Sequence, residues 1–380
     1  TRLFEYRHFW RYATFAEIAE LYASRTLRIV GMNIASGFAS VYLYQSGYSL
    51  IFILSFWLIY FTAKIGLSFI AGKLTASQGP KRGVFVSNLL YIPAMTMLGF
   101  VPILGLPAII IWGALMALSE CLYQISYYVD FSKLRNPDHS GKELGFMNVL
   151  EKVAIGMSPI VGGIIALLFS AQVLMWVAAG IFLVAAIPLF LSSKTGRVHQ
   201  KLAFRGFPYR LAFRSFISQI GVGFDIVTTG HVWNLFIAIV IFSNLTHELY
   251  LTIGSLSSVT ILAAIAISHA YGRLVDRRRG GELLRFSAVA NAFVHASRPF
   301  ASGAMPIVVT NVANEVATTG ITMSYMRGLF DTADLSGHRV TYLTFIEAIA
   351  NFGSAIACLV CLVCVLILGD NDGLRSFFYV

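Results

Sequence analysis

A few ionisable side chains stand within long, predominantly apolar stretches. Glu120 lies about midway along the apolar stretch 107–130, and Glu315 near the middle of 305–328. A carboxylate there can bind a cation or alternate between protonated and ionised forms, or it can hydrogen-bond a neighbouring helix and never titrate. Asp225 and His231 share one stretch with Thr228, Thr229 and Asn234. Six residues are about 600° of helical rotation, so Asp225 and His231 point to different faces and form no direct relay. His231 can carry a proton or remain a neutral, hydrogen-bonded imidazole. Asn33 is the counterpart of Asp225 when Gly31 is set beside Gly223. Arg28 and Arg298 are expected to snorkel toward an interface, whereas the deeper Lys64 can neutralise an acid or meet an anionic substrate. Glu151 and Glu347 sit seven or eight residues in from basic loops, about 10–12 Å deep, which suits gate ion pairs with Lys152, Arg273 or Arg277.

What positions these groups is a series of membrane-crossing helices. Of 380 residues 57% are hydrophobic and only 12% charged, where soluble domains carry about a quarter; mean hydropathy is +0.74. Spans are expected at about 22–44, 49–71, 83–104, 107–130, 144–169, 173–192, 217–242, 248–271, 283–303, 305–328 and 339–368. The net charge of +10 is not a nucleic-acid footprint, because the lysines and arginines fall in alternate connections. Lys81, Arg82, Lys133, Arg135, Lys194, Arg197 and Arg277 mark one end, and the opposite connections carry none. This asymmetry places the N-terminus and the basic loops in the cytoplasm, in a bacterial inner membrane on the simplest reading. Cys358, Cys361 and Cys364 lie within one apolar helix, where small polarizable residues suit helix contacts better than a cluster. No phosphate-binding loop and no metal-binding spacing occurs, so no enzyme activity, cofactor or metal is expected.

The chain repeats itself. Gly72-Lys-Leu74 returns as Gly272-Arg-Leu274, and Ser140-Gly141 as Ser336-Gly337, each followed ten residues on by Glu151 or Glu347. The expected organisation is an N-terminal bundle (1–192) with an interfacial helix over residues 1–20 and six spans, a basic linker (193–214), and a C-terminal bundle (215–380). The second bundle has five spans and the start of a sixth near Leu374–Val380, and the first residue is Thr1, so the natural protein is expected to be longer.

Two loops carry a resemblance. Gly272-Arg-Leu274-Val-Asp276-Arg277 resembles the signature loop of the major facilitator superfamily, and Gly72-Lys-Leu74 with Gly79-Pro-Lys81-Arg82 resembles it at the matching place in the first half. Ala76 and Ser77 replace the Asp-Arg pair there, which shifts the acidic latch to Asp276. Ala154-Ile-Gly-Met-Ser158-Pro159-Ile-Val-Gly162-Gly163 is similar to the fifth-span antiporter motif of the same superfamily, with Ala and Ser for its first two glycines.

The resemblance implies an all-α membrane fold of two pseudo-repeated six-helix halves. Here about eleven spans are complete and the first, fourth, seventh and tenth line a central cavity. It also implies alternating access without ATP. Together with the buried acids and an apolar, aromatic-rich cavity, it leads to proton-coupled export of small amphiphilic or cationic compounds by a monomer in the bilayer. Uptake or facilitation of a metabolite or lysolipid is the alternative, and a transport-dead sensor or partner-binding protein is an alternative of another class.

Overall fold

The computed structural model describes residues 15–134, 140–191, 202–245, 248–260, 265–267, 270–271 and 280–380, and among these there is helix and no strand. The first half contains α1 (Phe15–Ala35), α2 (Ala39–Gln45), α3 (Leu50–Gln78), α4 (Pro80–Gly99), α5 (Val101–Leu104), α6 (Leu106–Leu134), α7 (Ser140–Leu168) and α8 (Ala171–Leu191). The second contains α9 (Tyr209–Val227), α10 (Trp233–Phe236), α11 (Leu249–Ser258), α12 (Gly280–Ser297), α13 (Ala304–Leu335), α14 (Arg339–Leu368) and α15 (Asp370–Phe377).

Among the described residues, the segments Leu50–Gln78, Leu106–Phe131, Leu150–Leu168, Ala171–Leu189, Tyr209–Ile241 and Arg339–Leu368 are long and apolar enough to cross a membrane. Their outer faces expose Ile59, Ile110, Leu168, Leu183, Ile217 and Ile367, a surface that belongs in lipid rather than water. Local rules set the ends. Ser49 Oγ accepts from the Phe52 amide at 3.2 Å to cap α3. At the far end Gly79 takes φ +93°, a conformation that favours glycine, and Pro80 then opens α4 at a position where its missing N–H costs nothing.

Two spans are irregular at matching places. The first breaks at a 3₁₀ turn, Ser36–Phe38, between α1 and α2. The seventh widens into a π turn, Thr228–Val232, between α9 and α10. In the register that sets Gly223 beside Gly31, the two breaks coincide. Irregular backbone at membrane depth is tolerated where it lines a cavity, so the paired breaks mark one.

The halves meet along two seams, α3 against α14 and α7 against α11. On the second, a Cβ on Gly254 would collide with the Pro159 carbonyl oxygen, and one on Gly163 would stand 2.7 Å from Leu251 Cα. These glycines let the helix backbones touch.

The described residues bear on three expectations. Residues 1–14 of the expected interfacial helix lie outside the described residues, and Phe15 already begins α1, so 15–20 continue the first span. The linker's last residues are structured: α9 starts at Tyr209, Phe207 is buried beside Phe345, and Ala203 exchanges hydrogen bonds with Thr341 at 3.1 Å each way. After Gly369, α15 folds back and seats Phe377 on Phe224 and Phe378 on Trp233.

Candidate functional site

Between the halves lies a cavity of about 220 Å³, lined by Asn33, Gly37 and Phe38 at the first break and by Thr229, Gly230, Trp233 and Asn234 at the second. Pro159 of α7, Ser257 of α11, and Asn311, Asn314 and Glu315 of α13 complete its wall. The lining expected from composition was apolar and aromatic; the lining found is rich in amides. Isolated asparagines barely alter the hydropathy of a long apolar helix, which is why the average concealed them.

The amides are oriented by their neighbours. Asn33 Nδ2 donates to the Ile29 carbonyl at 2.9 Å, and Asn234 Nδ2 donates to Gly37 O at 3.1 Å and Gly230 O at 3.0 Å. Asn311 accepts from Trp233 Nε1 at 2.8 Å. Asn314 Oδ1 accepts from Arg298 Nη2 at 3.0 Å. Arg298 is 0% exposed, donates also to Thr228 O and Thr229 Oγ1, and lies over the Trp233 ring. Arg28, 1% exposed, donates to Asn88 Oδ1 and Ser119 Oγ and lies 3.9 Å from the Tyr123 ring centroid. Neither arginine snorkels. Aromatic faces and side-chain acceptors hold both inside, which is how a guanidinium tolerates burial.

Other charges in the interior fall into ion pairs, two of which join the halves. Lys152 Nζ of α7 meets Glu315 Oε1 at 2.5 Å in the cavity wall, and Thr319 Oγ1 donates to the same oxygen at 3.0 Å. Lys64 of α3 meets Glu120 at 2.8 Å and reaches Glu347 of α14 at 3.9 Å. Glu120 also accepts from Tyr60 at 2.7 Å and Tyr91 at 3.3 Å. Glu151 pairs with Arg25 at 2.5 Å, within the first half. Of the gate partners read from sequence, Arg273 and Arg277 lie outside the described residues, and Lys152 meets Glu315 instead. Glu151 takes Arg25, Glu347 takes Lys64 and Asn351, and Lys152, one residue along the helix from Glu151, turns about 100° away to the other half.

Asp225 accepts from Asn291 at 2.9 Å and meets His295 Nε2 at 2.7 Å. It borders a second cavity of about 390 Å³ between α9, α12 and α13. His231 lies elsewhere, with its ring centroid 3.9 Å from that of Trp57 across the half boundary and its Nδ1 3.5 Å from Ser40 Oγ. Asp225 and His231 are thus apart, as their spacing required.

Of the loop residues, Gly72 packs against Thr344 of α14, Gly79 makes the turn, Lys81 is half-buried and Arg82 exposed. Gly272, Asp276 and Arg277 lie outside the described residues. In α7, Ser158 Oγ donates to Ala154 O at 2.5 Å, Pro159 sits within the helix, and Gly162 and Gly163 abut the backbones of α1 and α11. The halves also touch through Phe38–Tyr250 at 5.4 Å, at the cavity wall, and through Phe131–Phe330 at 5.3 Å.

Sequence reading missed Arg25, Asn88, Asn291, His295, Asn311 and Asn314. Polar residues repeating at helical spacing, such as Asn291 with His295 and Asn311 with Asn314, were the available signal.

A family model described as Major Facilitator Superfamily matches residues 21–379. No curated protein sequence matches the chain. Among solved structures it is similar to an MFS transporter, FucP, in the outward conformation. That pair has TM-score 0.69 and 12% identity, over 95% of this chain and 94% of that one. A bacterial homologue of the iron transporter ferroportin in its outward-facing state gives 0.68 at 14% identity, over 95% and 94%. The nucleoside transporter NupG gives 0.65 at 12%, over 94% and 95%. At these identities the likeness is one of fold.

Proposed function

The chain belongs to the Major Facilitator Superfamily, a membrane-embedded secondary transporter family, and we propose that it couples the movement of a small solute to protons by making and breaking lysine–glutamate pairs between its halves. One observation carries this reading: Glu315 faces the cavity and is held by a lysine from the opposite half. Protonating Glu315 removes the charge that holds Lys152, and protonating Glu120 or Glu347 loosens Lys64 in the same way. The halves then part along the α3–α14 and α7–α11 seams and rock about the cavity. Re-forming the pairs draws them together again.

Export is the direction favoured by the close-packed α7, whose Pro159, Gly162 and Gly163 lie on a seam that must slide. In this reading the protein acts as a monomer, since one chain encloses its own cavity, and the basic end faces the cytoplasm. A lipophilic cation is a poor cargo, because Lys152 already occupies the acid it would seek.

The test is internal pH in proteoliposomes holding the protein, with a solute panel added under an imposed proton gradient. Solute-dependent proton movement is expected in the wild type and should vanish in Glu315→Gln. Proton movement that persists in both Glu315→Gln and Glu120→Gln would remove these carboxylates from the mechanism.

A further inference from the structure

The cavity's hydrogen-bonding pattern, taken with the transport reading above, defines a cargo. Three of its amides are tied to the protein by one atom only. Asn33 and Asn234 spend their Nδ2 groups on backbone carbonyls, which leaves both Oδ1 atoms as acceptors without a partner among the described residues. Asn314 is the reverse, because Arg298 holds its Oδ1 and leaves Nδ2 as a donor. None of these three atoms is sealed away from the cavity. Ser257 Oγ adds a group that can donate or accept.

A solute in this space meets fixed acceptors from two helices and a fixed donor from a third. Hydroxyl groups, which donate and accept together, satisfy all three. A carboxylate would set its own acceptors against Asn33 and Asn234, and a quaternary ammonium would leave every amide unpaired. The wall's acid, Glu315, is neutralised by its pair with Lys152. A cavity of about 220 Å³ is on the scale of a small molecule.

We propose that this cavity binds a neutral polyhydroxylated solute of monosaccharide or alditol size, with Asn33 and Asn234 accepting from its hydroxyls and Asn314 donating to them. Arg298 is the positioning residue that fixes the Asn314 amide.

The test is equilibrium binding to the purified full chain in detergent, using D-glucose, D-xylose, D-mannitol and D-ribitol, with tetraphenylphosphonium and benzoate as contrasting probes. At least one polyol should bind, and Asn314→Leu or Asn33→Leu should weaken it about tenfold or more. Asp334→Asn, an exposed acid away from the cavity, should leave the affinity within about threefold. Asn234→Ser provides a smaller change if a leucine variant fails to fold, and it should weaken the same polyol. Binding of tetraphenylphosphonium or benzoate with no polyol bound would overturn the proposal, as would polyol affinity indifferent to all three asparagine variants. The two readings fail separately. Polyol binding without proton movement would defeat proton coupling and keep this site, whereas proton-linked flux of a cation alone would do the opposite.

Discussion

The two halves share a scaffold and treat buried charge in opposite ways. The first half neutralises its acids internally, Glu151 with Arg25 and Glu120 with Lys64, and it has cationic capacity left over. The second half brings Glu315 and Glu347, whose lysine partners come from the first half. Another of its acids, Asp225, meets a histidine. A repeated backbone therefore supplies matching breaks and seams, while the unmatched charges decide how the halves hold each other. Buried charge along the seam is compensated only while the halves are closed. On the proposed mechanism, protonating the acids of the second half makes parting inexpensive.

Substitutions that unbalance this asymmetry should have effects graded by how many charges they strand. Lys64→Met leaves Glu120 and Glu347 without their cation. It should lose transport and about 3–5 kcal/mol of stability, read by unfolding in detergent. Adding Glu120→Gln to Lys64→Met should recover a large part of that stability. Lys152→Gln strands only Glu315, which keeps Thr319 as a donor, so a loss of about 2–3 kcal/mol is expected. The charge-reversed pair Lys152→Glu with Glu315→Lys should regain part of it, which a double-mutant cycle would measure. Gly254→Leu wedges apart α7 and α11 without touching a charge. It should cost about 1–3 kcal/mol and slow solute movement in proteoliposomes. The smallest effect belongs to Asp334→Asn, an exposed acid paired with the half-buried Arg339. Less than about 1 kcal/mol and unchanged transport are expected. A large transport defect there would show that surface pairs share the work assigned to the seam.

Span length, the alternation of basic loops and the spacing of the repeats are one-dimensional features, and they led to the fold. Glu120, Glu315 and Lys64 stood out because a charge in an apolar run is conspicuous. Their partners did not, because Lys64 and Glu347 or Lys152 and Glu315 meet only once helices distant in sequence pack. Arg298 was misread as a snorkelling side chain, since nothing in its local sequence shows Trp233 and Phe378 closing over it. The amide cavity was hidden for a related reason. Asn33, Asn234, Asn311 and Asn314 are each ordinary within their own helix and become a site only at the paired backbone breaks.

The most direct test of the inter-half pairs is a distance. Spin labels at Ser77→Cys and Leu335→Cys, both exposed and one in each half, would report separation at the basic end. Cys364, the one native cysteine that is not buried, would be changed to Ser. Lowering the pH should shift the distribution to longer distances, and Glu315→Gln at neutral pH should already show that longer population. A distribution unchanged by pH and by Glu315→Gln would contradict the account.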